Sequence, residues 1–124
     1  MKQVQVKITV GDIQVAVTLN DTNTAKLLWS ELPIESTGTT WGDEIYFRTP
    51  IQSHAESPRE IVDMGDVGYW PPGQALCLFF GPTPVSRHGE IRPASPVNVV
   101  GKMDGDPTVL RNVKSGSQVL VEKG

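Results

Sequence analysis

A run of six residues from Ala75 to Phe80 places the strongest constraint on the fold, because its one polar side chain is the thiol of Cys77. Such a run is too short to span a membrane and is typical of a β-strand buried on both faces. Seven of the chain's eight aromatic residues lie between Trp41 and Gly81, around this run. The sequence therefore predicts that the densest part of the core and the best binding surface share this region.

The composition is typical of a single globular domain over residues 1–124, with 38% hydrophobic and 20% charged residues. Twelve glycines and ten prolines favour short strands and tight turns over long helices. The net charge of -3 argues against nucleic acid as a main partner, because phosphate binding requires clustered lysine and arginine. One cysteine cannot form an internal disulfide, and the first residues show no secretory hydrophobic segment. We therefore expect a cytoplasmic protein that does not enter a membrane.

Alternating polar and apolar residues predict a β-hairpin at the start of the chain. Residues 4–10 and 13–19 place apolar side chains at every second position, and the Gly-Asp pair between them forms the turn. A single amphipathic helix is predicted over residues 22–32, where apolar side chains recur at helical spacing and a proline follows. Its apolar stripe is expected to cover one mouth of a sheet or barrel.

Short strands are expected along the rest of the chain, at residues 34–37, 43–49, 60–63, 75–80, 97–102 and 118–122. Turns or loops separate them, at residues 40–42, 50–58, 65–66 and 82–96. The last of these is long for a compact domain, and loops of that length are often functional or mobile. Asp106 and Pro107 predict a helical turn over residues 107–112. A total of about eight short strands with alternating faces favours a closed barrel, which leaves no exposed edge.

The chain lacks the common sequence signatures of catalytic and metal sites. His54 and His88 are far apart and lie outside any ligand motif, so no metal or other cofactor is predicted. There is no phosphate-binding glycine motif and no nucleophile elbow. Because Cys77 lies inside an apolar strand, we expect it to be a buried core side chain that reacts slowly.

Two carboxylate pairs, Asp43-Glu44 and Asp63/Asp66, are candidates for acid–base chemistry. Turn formation explains Asp43 and Asp66 without catalysis. A structural role is therefore the favoured interpretation of both pairs.

The aromatic residues are more informative about function. Tyr69 and Trp70 precede two prolines and a glycine, which stiffen the expected loop and lower the entropy lost on binding. If exposed, the pair offers a flat and partly polar binding surface; the alternative is that it plugs the end of the barrel. Arg48 shares a strand face with Glu44 and Tyr46. It either reaches into such a cleft, is solvated, or pairs with Glu44 at little net gain.

Several of these segments resemble cyclophilins. Residues 65–80 are similar to the cyclophilin segment in which a glycine-containing strand, a turn and a Ser-Gln-Phe-Phe strand follow one another. Residues 99–110 are similar to the Val-Phe-Gly-Lys-Val and Val-Leu segment near the cyclophilin end, and the helix at 22–32 sits where the Asn-Phe helix would. Residues 41–47 with 65–73 resemble still more closely a small prokaryotic family of cyclophilin-like domains without assigned function. The resemblance covers most of the chain and implies an eight-stranded barrel capped by a helix.

The resemblance supports prolyl isomerase activity much less well than it supports the fold. Active cyclophilins use an arginine in a Phe-His-Arg context, then a Phe-Met-x-Gln run, and later a tryptophan and a histidine. Here Arg48 follows a Tyr-Phe pair, and Phe80 stands for one hydrophobic wall. Residues 49–53 lack the Phe-Met-x-Gln run and residues 84–97 lack the tryptophan. The resemblance therefore implies the fold without its isomerase site.

We expect a cyclophilin-like domain that binds a small molecule or peptide without isomerising prolyl bonds. The expected ligand-binding residues are Tyr46, Arg48, Tyr69, Trp70 and Phe80. One alternative is a prolyl isomerase with a degenerate site, in which Arg48 would be catalytic. Another is a structural subunit that assembles through its barrel surface.

Overall fold

Nine antiparallel strands form a single sheet that curls into a nearly closed barrel in the computed structural model, which describes residues 4–124. The strands are β1 (Val4–Val10), β2 (Ile13–Leu19), β3 (Ile34–Thr37), β4 (Thr39–Thr40), β5 (Glu44–Arg48), β6 (Asp66–Trp70), β7 (Ala75–Phe79), β8 (Asn98–Met103) and β9 (Gln118–Lys123). Their order across the sheet is β3-β9-β1-β2-β8-β6-β7-β5-β4. The structure also contains one α-helix, α1 (Asn23–Ser30), and two 3-10 segments, Pro71–Gly73 and Pro107–Asn112.

The two edge strands of the sheet, β3 and β4, follow one another in the chain with Gly38 between them. A β-carbon added at Gly38 would lie 3.2 Å from methyl groups of both Ile45 and Val119. The absence of a side chain therefore lets the chain pass tightly between β5 and β9. This close passage brings the two edges of the sheet next to each other.

Much of the sequence-based prediction is confirmed. The hairpin of β1 and β2 pairs from Val4 opposite Leu19 to Val10 opposite Ile13. The single helix is present, although it is shorter than the predicted range 22–32. The helical turn at residues 107–112 is present and begins where the Asp106 side chain accepts a hydrogen bond from the backbone of Thr108 at 3.0 Å.

Three parts of the strand prediction were wrong, so the expected closed eight-stranded barrel is instead a nearly closed barrel of nine strands. Residues 60–63 form no strand, only an isolated bridge between Val62 and Ile91. β4 includes Thr40, where a turn was expected. β6 begins at Asp66 and includes the aromatic pair that was expected in a loop. The surrounding glycines and prolines favoured a loop, but Gly68 lies mid-strand, where an added β-carbon would be only 2.7 Å from a methyl group of Val97.

The barrel interior holds the larger of two apolar clusters. Its buried aromatic members are Phe47 from β5, Tyr69 from β6, and Phe80, which directly follows β7. Helix α1 adds Ala25 and Leu28, so its apolar stripe closes one end of the barrel as predicted. Within the described residues, no helix is long and apolar enough to cross a membrane.

Helix α1 is fixed to the polar loop at residues 50–58 by a partly buried hydrogen-bond network. The Glu56 carboxylate accepts hydrogen bonds from the backbone N–H groups of Asn23 and Thr24, each at 2.9 Å, and these lower its pKa. The Asn98 amide is fully buried; it donates to the His54 carbonyl at 2.8 Å and accepts from the Glu56 N–H at 2.8 Å. One side chain of β8 thus connects the loop to the helix.

A second apolar cluster lies on the outer face of the sheet, where β5, β7, β6 and β8 are neighbours; its buried members are Val62, Cys77, Phe79, Ile91 and Val97. β7 is buried at every residue, which confirms the strand predicted to be covered on both faces. The segment 82–96 is ordered internally by Ser86, whose hydroxyl accepts from the N–H groups of Thr83 and Arg92 at 2.9 Å. An ion pair between Arg92 and Glu90 at 2.7 Å tightens it further.

Candidate functional site

A cavity of about 300 Å³ opens on the outer face of the barrel, between the sheet and the segment 82–96. We call it the outer-face cavity; its lining residues are Trp41, Glu44, Tyr46, Trp70, Cys77, Pro93, Ala94 and Val97. The carboxyl, thiol, proline and valine side chains belong to buried residues, whereas the three aromatic residues are half-buried at the rim. Small-molecule sites are commonly concave, mostly apolar and supplied with few polar groups, and this cavity lies at the lower end of their size range.

The alternation of side chains along β5 brings Glu44 and Tyr46 to the outer face of the sheet. In the neighbouring strand β7, Cys77 pairs with Tyr46, so its thiol faces the same side. β6 continues this surface, since Gly68 pairs with Cys77 and Trp70 lies two residues further along the strand. Three adjacent strands therefore supply the floor and one wall of the cavity.

The Trp70 ring is held from two sides. Its indole N–H donates a hydrogen bond to the Ser95 hydroxyl at 2.5 Å, which connects the ring to the segment 82–96. On its other side, a β-carbon added at Gly73 would lie only 2.6 Å from ring atoms of Trp70. The glycine that follows the two prolines therefore gives the ring space to pack against the backbone.

Trp41 is placed at the rim by the tight turn between β4 and β5. Its backbone N–H donates to the Glu44 carbonyl at 2.8 Å and closes the turn. Gly42 has a φ of +61°, a conformation that side-chain-bearing residues rarely adopt. A β-carbon at Gly42 would also lie 2.8 Å from the Pro84 ring, so the turn packs directly against the start of the segment 82–96.

Glu44 is the distinctive polar group of the cavity. The residue is 5% exposed, and its Oε1 atom is the one buried side-chain nitrogen or oxygen without a hydrogen-bond partner in residues 4–124. Burial raises the pKa of this carboxyl from 4.5 to about 7, and the adjacent Cys77 thiol offsets a smaller part of the rise. Both the neutral and the ionised carboxyl are therefore accessible near neutral pH.

Cys77 lies next to this carboxyl and is buried, as the sequence predicted. Burial raises the pKa of its thiol well above the usual value, and the neighbouring charge of Glu44 raises it further. The group is therefore a neutral thiol in the cavity wall. Its slow reaction with thiol reagents stays a prediction.

The five residues expected to bind a ligand are divided between the two sides of the sheet. Tyr46 and Trp70 line the outer-face cavity. Tyr69 and Phe80 are buried in the barrel interior, where the Tyr69 hydroxyl donates to the Ile51 carbonyl at 2.6 Å. Arg48 is exposed on the outer surface and donates to the Gln74 side chain at 3.0 Å rather than pairing with Glu44.

The sequence reasoning did not assign a binding role to most of the cavity lining, namely Trp41, Glu44, Cys77, Pro93, Ala94 and Val97. One signal for them was present. A strand with apolar residues on both faces must be covered on its outer side, and Glu44 shares the outer face with Tyr46. The long segment 82–96 was the available cover for that face.

No metal site was predicted, and the described part of the chain contains no group of three or more His, Cys, Asp or Glu residues placed to hold a metal ion.

The fold and the sequence together define the class of protein. The cyclophilin-like family matches residues 4–122, nearly the whole chain, and the chain belongs to this family. Among solved structures it is similar to the solution structure of the hypothetical protein AF2241 from Archaeoglobus fulgidus, with 39% sequence identity and a TM-score of 0.84. The match covers 98% of this chain and 95% of the archaeal one. No curated protein sequence matches the chain. The resemblance found in the sequence is thereby confirmed.

Proposed function

We propose that this protein is a cyclophilin-like binding domain that holds a small molecule in the outer-face cavity and does not isomerise prolyl bonds. The observation that carries the proposal is the grouping of three aromatic side chains around a buried carboxyl with an unpartnered oxygen. Buried polar atoms are almost always satisfied in folded proteins, and an exception calls for a functional explanation. A ligand that occupies the cavity would supply the missing partner.

The rigidity of the cavity also supports binding. Trp70 is fixed by Ser95 and by its contact with Gly73, and Ser86 fixes the covering segment 82–96. A site that is already ordered loses little conformational entropy when a ligand binds. The volume of about 300 Å³ favours a small molecule over a long peptide as the occupant.

The absence of isomerase activity is proposed on separate grounds. Arg48 and Phe80 were the two candidates for an isomerase site, but one is exposed on the outer surface and the other is 2% exposed inside the barrel. Catalysis of rotation requires the arginine and the hydrophobic wall to contact the same twisted peptide bond. Side chains on opposite sides of a sheet do not meet this requirement.

A fragment screen with a blocked cavity tests the binding proposal. The variant Ala94→Trp places an indole at an exposed lining position, and Ala55→Trp makes the same change on the exposed loop away from the cavity. Binding of small aromatic and aliphatic fragments would be followed by ligand-observed NMR with the three proteins. We expect fragments that bind the native protein and Ala55→Trp with equal affinity, and that bind Ala94→Trp at least tenfold more weakly.

Two results would contradict the proposal. The first is that no fragment binds at millimolar concentration. The second is that bound fragments are unaffected by Ala94→Trp, provided that both variants show native circular dichroism.

A further inference from the structure

We propose that the ligand of the outer-face cavity carries a protonated nitrogen that pairs with the Glu44 carboxylate. The rest of the ligand is an apolar or aromatic body, and the cavity volume of about 300 Å³ accommodates about ten non-hydrogen atoms. This inference rests on the proposed function, because it names the chemical class of the ligand for the same cavity. It follows from three observations: the unpartnered Oε1 oxygen of the Glu44 carboxyl, the absence of a protein cation from the cavity lining, and the aromatic rim.

One oxygen of the Glu44 carboxyl, Oε1, has no partner from the protein, and the carboxyl's hydrogen-bonding neighbour is the neutral Cys77 thiol. Glu44 is 5% exposed, its Oε1 accepts no hydrogen bond, and Arg48 on the same strand donates to Gln74 instead. Among residues 4–124, no lysine, arginine or histidine lines the cavity. Buried charges in proteins are normally paired, so the ligand is the available source of the opposite charge.

The rim favours a cation over other polar ligands. Trp41, Tyr46 and Trp70 surround the entrance, and the faces of such rings attract ammonium groups. Pro93 and Val97 add apolar walls that suit the body of an amine but give no hydrogen bond to it. An anionic ligand would face the Glu44 carboxylate and the negative faces of the rings, so it is disfavoured by both.

A neutral hydrogen-bond acceptor is the competing ligand class, because it would bind the protonated form of Glu44. The other titratable groups that line the cavity are Tyr46 on the same strand and Cys77 on β7, whose thiol is kept neutral by burial. The pH dependence of binding therefore distinguishes the two classes. An amine binds more tightly as the pH rises through 7, whereas a neutral acceptor binds more tightly as the pH falls.

Three matched probes test the inference: phenethylamine, 2-phenylethanol and phenylacetate, which differ in charge but share a ring and a short chain. Their dissociation constants would be measured by isothermal titration calorimetry at pH 6 and pH 8. We expect phenethylamine to bind at least tenfold more tightly than 2-phenylethanol at pH 8, and phenylacetate to bind most weakly. The tenfold factor is the usual minimum for a hydrogen bond to a charged group.

Two glutamine variants test whether Glu44 causes the preference for phenethylamine. Glu44→Gln keeps the shape and removes the charge, so we expect it to abolish the preference for phenethylamine and its dependence on pH. Glu122→Gln removes a charge from β9, outside the cavity, and is expected to keep both.

The results separate this inference from the proposed function. If 2-phenylethanol binds as tightly as phenethylamine, or if Glu44→Gln keeps the preference, the protonated-nitrogen inference is wrong while small-molecule binding stands. The same holds if all three probes fail but other fragments occupy the cavity. If neither the probes nor any fragment binds, both the inference and the proposed function are contradicted.

Discussion

At the scale of single residues, the burial of Glu44 has a consequence for stability. Its pKa is raised from 4.5 to about 7 in the folded protein, so the folded state holds the proton more tightly than the unfolded chain does. The contribution of Glu44 to the free energy of unfolding is most favourable below pH 4.5, declines as the pH rises toward 7, and then stays constant. The full loss is about 3 kcal/mol. Such a loss is a substantial part of the stability of a domain of this size.

We predict that Glu44→Gln removes this loss of stability at higher pH. Between pH 5 and pH 8 the free energy of unfolding of the variant should gain about 2.5 kcal/mol relative to the native protein, because the amide never ionises. Urea unfolding at several pH values measures the difference. Asp66 has a raised pKa of its own, so the comparison must be made between the two proteins rather than along one curve. Glu122→Gln should show no such gain, and parallel curves for Glu44→Gln and the native protein would contradict the prediction.

Cys77 gives a second prediction at this scale. Burial, together with the nearby charge of Glu44, keeps its thiol neutral, and the residue is only 3% exposed. A thiol reagent at pH 7.5 should therefore label the native protein at least a hundredfold more slowly than the protein unfolded in urea. Rapid labelling under native conditions would show that the outer-face cavity admits reagents to a reactive thiolate, in conflict with this account.

At the scale of elements, the network around Asn98 connects β8, the loop 50–58 and helix α1. Its amide is fully buried and bonds to the Glu56 N–H and the His54 carbonyl, so truncation would leave the Glu56 N–H without a partner and remove one of the carbonyl's two donors. We predict that Asn98→Ala lowers the free energy of unfolding by about 2 kcal/mol. Urea unfolding measures the change, and Asn112→Ala at an exposed position is the matched control. A loss equal to that of the control would contradict the role assigned to the network.

Local sequence patterns predicted the strands in which one face is apolar and the other is polar. In β1 and β2, polar and apolar residues alternate because one face meets the core and the other meets solvent, so the strand period is visible. In β6, both faces are covered, so no alternation marks the strand, and the aromatic pair set among glycines and prolines was expected in a loop. The evidence that Gly68 is a packing position lies in Val97, a residue distant in sequence, which no local pattern reveals.

At the scale of the whole molecule, the sheet separates two environments. Tyr69 and Phe80 fill the interior, whereas Tyr46 and Trp70 belong to the outer-face cavity. The sequence indicated the aromatic region in which the cavity lies but not this division between the two sides of the sheet. The cavity also needs Pro93 from the segment 82–96 and Trp41 from a turn, so it exists only once the chain has folded.

The same division leads to the prediction that the protein does not accelerate prolyl isomerisation. Arg48 and Phe80 lie on opposite sides of the sheet, so no substrate can contact both. A standard assay with Xaa-Pro peptides should give the uncatalysed rate at micromolar protein. Clear acceleration that disappears in Arg48→Ala would contradict this prediction and favour the degenerate isomerase.

The most direct test of small-molecule binding in the outer-face cavity uses the three tryptophans of the chain. Trp41 and Trp70 line the cavity, whereas Trp29 lies on α1 with the Lys123 ammonium 4.9 Å from its ring centre. Their indole N–H signals would be assigned with Trp→Phe variants and followed by NMR during titration with phenethylamine. We expect saturable shifts for Trp41 and Trp70 and none for Trp29. If phenethylamine does not bind, the titration is repeated with the fragments that do. Shifts confined to Trp29, or no shift of Trp41 and Trp70 at saturating concentrations of any of these ligands, would contradict binding in the outer-face cavity.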